Sequence, residues 1–224
     1  MRKDNFIGVL FDHLLEVHDP EPHAAALNMA IDEALLLTAR DPTLRLYHWV
    51  EPAVSFGYFG KWTEVQRAWP NRDAVRRWTG GGIVPHGDDI TYSLIVPSAH
   101  PFARLGPLES YRAIHEALAV ALGSASLATR AAPKISEACF ENAVQHDVVV
   151  AGKKIAGAAQ RRSKLGLLHQ GSIQPVDDVA RVARALRKSL APRVAATPLT
   201  PQTMMTAARL VNERYGTRAW LQRR

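Results

Sequence analysis

Cysteine is almost absent. Cys139 is the only one among 224 residues, so no disulfide can close within the chain and nothing points to an oxidising compartment. Long apolar runs are absent too. Arg2 and Lys3 precede an apolar stretch from Phe6 to Phe11, but Asp12 and His13 cut it short. That is too short and too polar for the core of a signal peptide or for a membrane span, so a soluble, cytoplasmic protein without membrane contact is expected. Acidic residues are in the minority: 21 Asp and Glu stand against 28 Lys and Arg, a formal charge of +7. Such a balance favours an acidic partner. No internal repeat or low-complexity segment is present, and the length suits one substantial domain.

What is abundant is glycine in one place. Arg76-Arg77-Trp78-Thr79-Gly80-Gly81-Gly82-Ile83-Val84-Pro85-His86 reads as strand, glycine turn, strand. Three successive glycines do not serve stability, because each loses more backbone freedom on folding than other residues. They let a ligand approach main-chain N–H groups, and the flanking arginines and histidine suit an anionic or polarised group. Taken alone, the stretch fits a mobile surface loop as well. Arg76 and Arg77 alternate along a strand, so only one faces a groove. A second stretch runs Gly152-Lys153-Lys154-Ile155-Ala156-Gly157-Ala158-Ala159-Gln160-Arg161-Arg162, followed by Leu168-His169-Gln170-Gly171-Ser172-Ile173. Small residues beside Lys154 would leave its ammonium as a fixed cation over a shallow groove; a solvated hairpin lysine is the plainer alternative.

Together the two stretches resemble the lipoate–protein ligase A and octanoyltransferase family, within the biotin/lipoate A/B ligase superfamily. The family's marks R-R-x-[ST]-G-G-G-x-V-x-H, G-x-K-I-x-G-x-A-x-R and H-x-G-[ST] stand here as Arg76–His86, Gly152–Arg161 and His169–Ser172. Asn28 to Ala34 resembles its first helix, and Trp49 with Pro52 to Phe59 its W-x-x-P-x-x-S-x-G segment. The resemblance runs from about Ala24 to Ile173. It implies an α+β fold, a mixed and mainly antiparallel central sheet flanked by helices. Residues 1–190 would form the catalytic domain, with 191–224 a linker and helix packed on the same domain.

Patterning adds the elements. Asp19-Pro20-Glu21-Pro22 reads as a helix start, with Leu27, Ile31, Ala34 and Leu35 at helical spacing. Residues 44–47 and 54–58 alternate and are expected to pair antiparallel. Ile90 to Val96 is β-prone. Tyr111, Ile114, Leu118 and Leu122 mark a helix closed by Gly123. Val148–Val150, the lysine strand and Leu165–Ile173 read as a meander. Val176 to Leu186 is helical, Pro192–Pro198 a linker, and Thr200-Pro201 starts a last helix ended by Gly216.

The activity implied by the resemblance is attachment of an octanoyl or lipoyl group to a lysine of a lipoyl domain. In a transferase, Cys139 would take the acyl group from an acyl-carrier-protein thioester, with Lys154 or His169 lowering the thiol pKa or taking its proton. Core packing is the plainer role for Cys139. In a ligase, ATP and Mg²⁺ would form an acyl-adenylate, with Gly80, Gly81, Gly82, Arg77 and Lys154 supplying positive potential. No tightly bound cofactor and no protein-bound metal are expected otherwise. The resemblance places Lys154 and Cys139 as catalytic residues. It places Arg77, Thr79, Gly80, Gly81, Gly82, Ile83, Val84, His86, Gly157, Ala158, Ala159, Arg161, His169, Gly171 and Trp49 in substrate binding.

Gly82 is ligase-like. Asp89-Ile90-Thr91-Tyr92-Ser93 resembles the transferase branch instead, and Gln170 departs from the family pattern, leaving open whether His169 or Gln170 faces the site. About fifty residues after Gln174 leave little room for the extra domain of large ligases, so the transferase is favoured. Implied protein partners are lipoyl domains of 2-oxoacid dehydrogenases or the glycine cleavage H protein, with acyl carrier protein as donor. A nucleic-acid binder is the rival class suggested by charge, but no such motif is present. A biotin ligase is disfavoured by the glycine stretch.

Overall fold

A computed structural model describes residues 9–123, 125–131, 143–174 and 176–223; Cys139 and most of the stretch from Phe6 to Leu10 lie outside them. Strand β1 (Leu14–His18) leads to helix α1 (Ala25–Thr38). The helix begins after Asp19-Pro20-Glu21-Pro22 rather than on it, because Asp19 is engaged elsewhere. Its carboxylate accepts from Arg45 at 2.8 Å and contacts the His23 ring at 2.8 Å. Next come β2 (Thr43–Tyr47), β3 (Ala53–Phe56), a short α2 (Trp62–Ala68), β4 (Asp73–Arg76), β5 (Ile83–Pro85) and β6 (Ile90–Pro97).

The expected pairing of β2 with β3 does not occur. β2 lies between β1 and β6 in an eight-stranded sheet, whereas β3 is the middle of a three-stranded sheet ordered β4-β3-β5. All of β3 and most of β2 are buried, so neither strand has the wet face that a simple hairpin would give it. The two strands flanking the triple glycine therefore do not pair with each other. The glycine loop crosses the end of β3 to join its two neighbours.

Helix α3 (Pro107–Leu122) is capped by Gly123 at φ 78°. After the short β7 (Ser126–Leu127), strands β8 (Val148–Val150), β9 (Lys153–Ser163) and β10 (Gly166–Ile173) form the expected meander. Helix α4 (Val179–Leu190) follows. The segment read as a linker is largely a strand, β11 (Val194–Pro198), which pairs in parallel with β1. Helix α5 (Pro201–Leu210) continues through a wider turn to Gly216, and α6 (Arg218–Leu221) closes the chain.

The large sheet runs β11-β1-β2-β6-β10-β9-β8-β7 and is antiparallel from β2 onward. This is an α+β fold with a mainly antiparallel central sheet flanked by helices. On one face α3 and α4 bury Leu44, Leu94, Val96, Leu167 and their neighbours. On the other, α1 packs against Ile95 and Leu168 with α5 outside it. Among the described residues, no helix is long and apolar enough to cross a membrane.

Gly57 decides how near the glycine loop can come. A Cβ there would overlap the carbonyl oxygen of Gly81 and crowd that of Gly80. The loop is tied down beside it, Tyr58 N–H donating to Thr79 O at 2.9 Å and Arg77 N–H to Phe56 O at 2.8 Å. Gly57→Ala is therefore expected to destabilise the protein by roughly 1–3 kcal/mol through overpacking of rigid backbone. Denaturant titration measures this, and an unchanged midpoint would mean that the loop does not rest on β3.

Candidate active site

Two facing surfaces make a narrow cleft. Met29, Tyr47, Trp49, Thr91, Gly157, Ala158, Ala159, Gln170, Gly171 and Ser172 form one wall; Ser55, Arg77, Gly81, Val84 and His86 form the other. The cleft holds about 390 Å³ of empty space, its open mouth included. Strand register explains the first wall. Ser172 pairs with Gly157 and Thr91, and Gln170 with Ala159 and Ser93, so these residues share one sheet face. His169 lies one residue out of phase. Its ring is buried on the opposite face, with Tyr92 Oη 3.2 Å from Nε2 and Gln160 Nε2 3.1 Å from Nδ1. Gln170, not His169, faces the cleft. Gly171 leaves room for the Tyr92 ring, which a Cβ would overlap.

The arginine pair divides as alternation requires. Arg77 turns inward, donating to Ser55 Oγ at 2.7 Å and to the carbonyls of Gly80 at 3.0 Å and Gly82 at 2.8 Å. It holds the glycine loop from beneath. Arg76 turns away and binds five carbonyls, including those of Trp220, Leu221 and Arg223, which pins the C-terminal helix to β4. Gly81 adopts φ +85° with Ala159 Cβ beside it, while Gly80 is open. Thr79 does not line the cleft; its hydroxyl donates to Gln170 Oε1 at 2.7 Å. Ile83 packs with Val54, Phe56 and Val65 beneath α2, leaving Val84 on the cleft side. Arg161 lies over the Trp78 ring, 4.8 Å from its centroid.

Trp49 stacks on His86, with centroids 4.1 Å apart. His86 Nδ1 is 2.8 Å from Asp89 Oδ2, and Nε2 is 2.6 Å from Ser55 Oγ. Asp89 also accepts from Thr91 Oγ1 and Ser172 Oγ. Burial raises its pKa, but the His86 and hydroxyl donors outweigh that and bring it to about 2. Burial lowers the pKa of His86, partly offset by Asp89.

Lys154 is buried rather than solvated. Its Nζ lies 2.7 Å from Asp147 Oδ2, and Asp147 also accepts from Tyr111 Oη at 2.6 Å and Val144 N–H at 2.7 Å. A register shift opposite Val148/Val149 puts Ile155 and Ala156 both against the α3-side core. This bulge re-aims Lys154: its Nζ comes to rest where a Cβ on Gly157 would be 2.6 Å away. Gly157 is thus small for two reasons, to form cleft wall and to admit the ammonium. Lys154 also lines a wider recess with His86, Gly87, Asp88 and Gln174, so His86 borders both spaces.

The structure thus gathers Arg77, Gly81, Val84, His86, Trp49, Gly157, Ala158, Ala159 and Gly171 around one cleft, with Lys154 behind Gly157. Gly80, Gly82 and Thr79 belong to the loop that forms the rim. Ile83 and His169 point away from the cleft, Arg161 shares its sheet face but packs on Trp78 outside its lining, and Cys139 is outside the described residues. Ser55 and Ser172 stood in the quoted motifs without a site role, and Asp89, Thr91 and Asp147 were given none either. The available signal was polar residues at alternate positions of otherwise apolar strands, Ser55 between Val54 and Phe56 and Thr91 and Ser93 in β6. Glu33 on α1 is buried and accepts from Arg214 Nη1 and Tyr215 Oη, each at 2.6 Å.

Residues 24–212 match the family model of the lipoyl protein ligase A/B catalytic domain. The chain is 37% identical over 169 residues to an octanoyltransferase LipM of Kyrpidia tusciae, covering 67% of this chain and 62% of that one. It is 37% identical over 192 residues to an octanoyltransferase LipM of Exiguobacterium, covering 74% and 67%. Against the Kyrpidia protein the chain thus spans less than two thirds of its relative's length. A solved lipoate-protein ligase A bound with ATP superposes with a TM-score of 0.74 at 20% identity, over 95% of this chain and 99% of that one. A bi-partite lipoate protein ligase from Thermoplasma acidophilum gives 0.72 at 19%, over 95% and 96%. At these identities the structural likeness concerns the fold.

The histidines behind the sheet make stability depend on pH. Burial lowers the His115 pKa from 6.5 to about 4 and pushes that of His169 well down. Below pH 6.5 the unfolded chain binds protons that the folded one refuses, so stability falls as pH drops from 6.5 towards 4, by about 3 kcal/mol for His115 alone. Asp89 adds a lower window: its folded pKa lies below the ordinary carboxylate value, so its contribution is present above about pH 4 and lost towards pH 2. Denaturant titrations from pH 8 to 3 are expected to show the upper loss, reduced in His115→Gln. A stability that is flat from pH 7 to 4.5 would contradict this.

Proposed function

The chain belongs to the lipoyl protein ligase A/B catalytic domain family, and from that premise we propose that it transfers an octanoyl group from an acyl-carrier-protein thioester to the lysine of a lipoyl domain. The observation that carries the reading is the shared wall: Lys154 Nζ rests against Gly157, and Gly157 lines the same cleft as Gly81. The naming of the relatives at 37% identity as octanoyltransferases supports it. So does the cleft's lining, in which Gly157, Ala158, Ala159 and Gly171 are small and Val84 and Met29 are apolar.

In this reading the acyl chain lies along that lining with its carbonyl towards Lys154. Asp147 fixes the ammonium, so its charge is already in place when the carbonyl oxygen becomes negative and no reorganisation is needed. The Cys139 thiolate attacks the thioester carbon and releases the carrier's thiol. The acceptor lysine then attacks the resulting enzyme thioester and Cys139 is regenerated. Arg77 acts through the glycine loop, whose carbonyls it holds. Acceptors are lipoyl domains of 2-oxoacid dehydrogenases or of the glycine cleavage H protein, met in the cytoplasm, and the net positive charge speeds their docking if they are acidic. The C-terminal segment acts as part of the same domain, since β11 extends the large sheet and Arg76 grips α6. ATP and Mg²⁺ have no role in this reaction.

Mixing the protein with octanoyl-carrier protein is expected to leave an octanoyl adduct on Cys139 by mass spectrometry. Cys139→Ser should cut lipoyl-domain modification by at least about 100-fold. If Cys139→Ser transfers as well as the parent, and only ATP with free lipoate modifies a lipoyl domain, the protein is a ligase instead. Lys154→Met is expected to lower kcat by about 100-fold with little change in KM. A parental rate in that variant would remove Lys154 from the site.

A further inference from the structure

One buried group in the cleft wall has no part in the transfer just described. Four donors converge on Asp89: His86 Nδ1, Thr91 Oγ1 and Ser172 Oγ reach Oδ2 at 2.8, 2.8 and 2.6 Å, and Gly87 N–H reaches Oδ1 at 3.2 Å. A carboxylate receiving four donors is ionised and has no proton to give, so the proton between it and His86 sits on Nδ1. His86 Nε2 is then a base. Ser55 Oγ, 2.6 Å away, directs its hydrogen to that nitrogen. Arg77 Nη1 donates to the same oxygen at 2.7 Å, which stabilises any negative charge developing there. Stacking on Trp49 fixes the imidazole ring, and Ser55 lines the cleft. Base, orienting carboxylate and hydroxyl thus stand in the relation that activates a serine.

We infer that Ser55 is a second acyl acceptor in the cleft, giving the protein an esterase and thioesterase activity towards medium-chain activated acyl groups. This rests on reading the cleft as an acyl slot. Ser55 Oγ attacks the acyl carbonyl carbon and forms an oxygen ester; the bond to the leaving sulfur or aryloxide breaks. His86 Nε2 takes the hydroxyl proton and passes it to the leaving group. Water then attacks the ester carbonyl, giving its proton to Nε2, and that proton returns to Ser55 Oγ as the free acid departs. No oxidant, metal or nucleotide is needed. The apolar lining by Met29, Val84 and Ala159 favours an uncharged acyl chain.

The test uses p-nitrophenyl octanoate and the full chain carrying Cys139→Ala. Mass spectrometry is expected to find an octanoyl ester on the peptide containing Ser55, resistant to neutral hydroxylamine as oxygen esters are. Nitrophenol release by this variant should fall at least about tenfold on adding Ser55→Ala. Adding Ser55→Cys instead should restore an adduct that neutral hydroxylamine now removes, which shows that the position is reactive and the variant folded. No adduct on the Ser55 peptide, or an undiminished rate in Cys139→Ala/Ser55→Ala, overturns the inference. Binding of octanoic acid, followed by Trp fluorescence, separates the two readings. Binding without acylation sinks the serine alone; absence of both sinks the acyl slot with it.

Discussion

Gln170 holds the two walls of the cleft together. Its carbonyl accepts from Thr79 in the glycine loop, and its amide donates to Asp32 on α1 at 2.7 Å. The same carboxyl group is surrounded by donors inside the protein. Arg45, with no exposed surface, donates to it at 2.8 Å, and Tyr47 and Ser93 add their hydroxyls. A buried pair of this kind contributes little over an apolar substitute, but removing one partner strands a charge at a cost of about 3–5 kcal/mol. The central helix, the large sheet and the glycine loop are therefore coupled through one carboxylate. The loop's position follows from the core rather than from its own sequence.

Around that frame, absence of side chain does the shaping. Gly57 admits the loop backbone, Gly157 admits the Lys154 ammonium, and Gly171 admits the Tyr92 ring. The triple glycine is only one of these approaches. The charged groups are correspondingly few and each is held. Asp147 and Tyr111 fix Lys154, Asp89 and Trp49 fix His86, and Arg77 is spread over Ser55 and two loop carbonyls. Held groups of this sort contribute an electrostatic environment that exists before any substrate enters.

Much of this was legible in the sequence where the chemistry is local. Glycine runs, the meander from β8 to β10, the capped helix α3 and the alternation that separates Arg76 from Arg77 depend on short-range geometry. Pairing between distant segments was not legible. β2 and β3 have similar patterns but enter different sheets, and Pro192–Pro198 gives a strand only because β1 offers an edge. Parity was lost at Lys154, where a bulge shifts the strand by one residue and brings the ammonium against Gly157. The counter-charges were hidden for the same reason: nothing near Lys154 in sequence announces Asp147, and nothing near Glu33 announces Arg214. His169 carried the motif, yet the face it takes is set by β10's register with β6.

The place where an eight-carbon chain lies decides the function, and a crystal structure with octanoic acid bound tests it directly. Its carbons are expected between Gly81 and Val84 on one side and Ala158 and Gly171 on the other, with the carboxylate towards Lys154. Density for the chain in the separate recess bordered by Glu16, Arg184 and Arg187, with the space beside Gly81 unchanged, would contradict it.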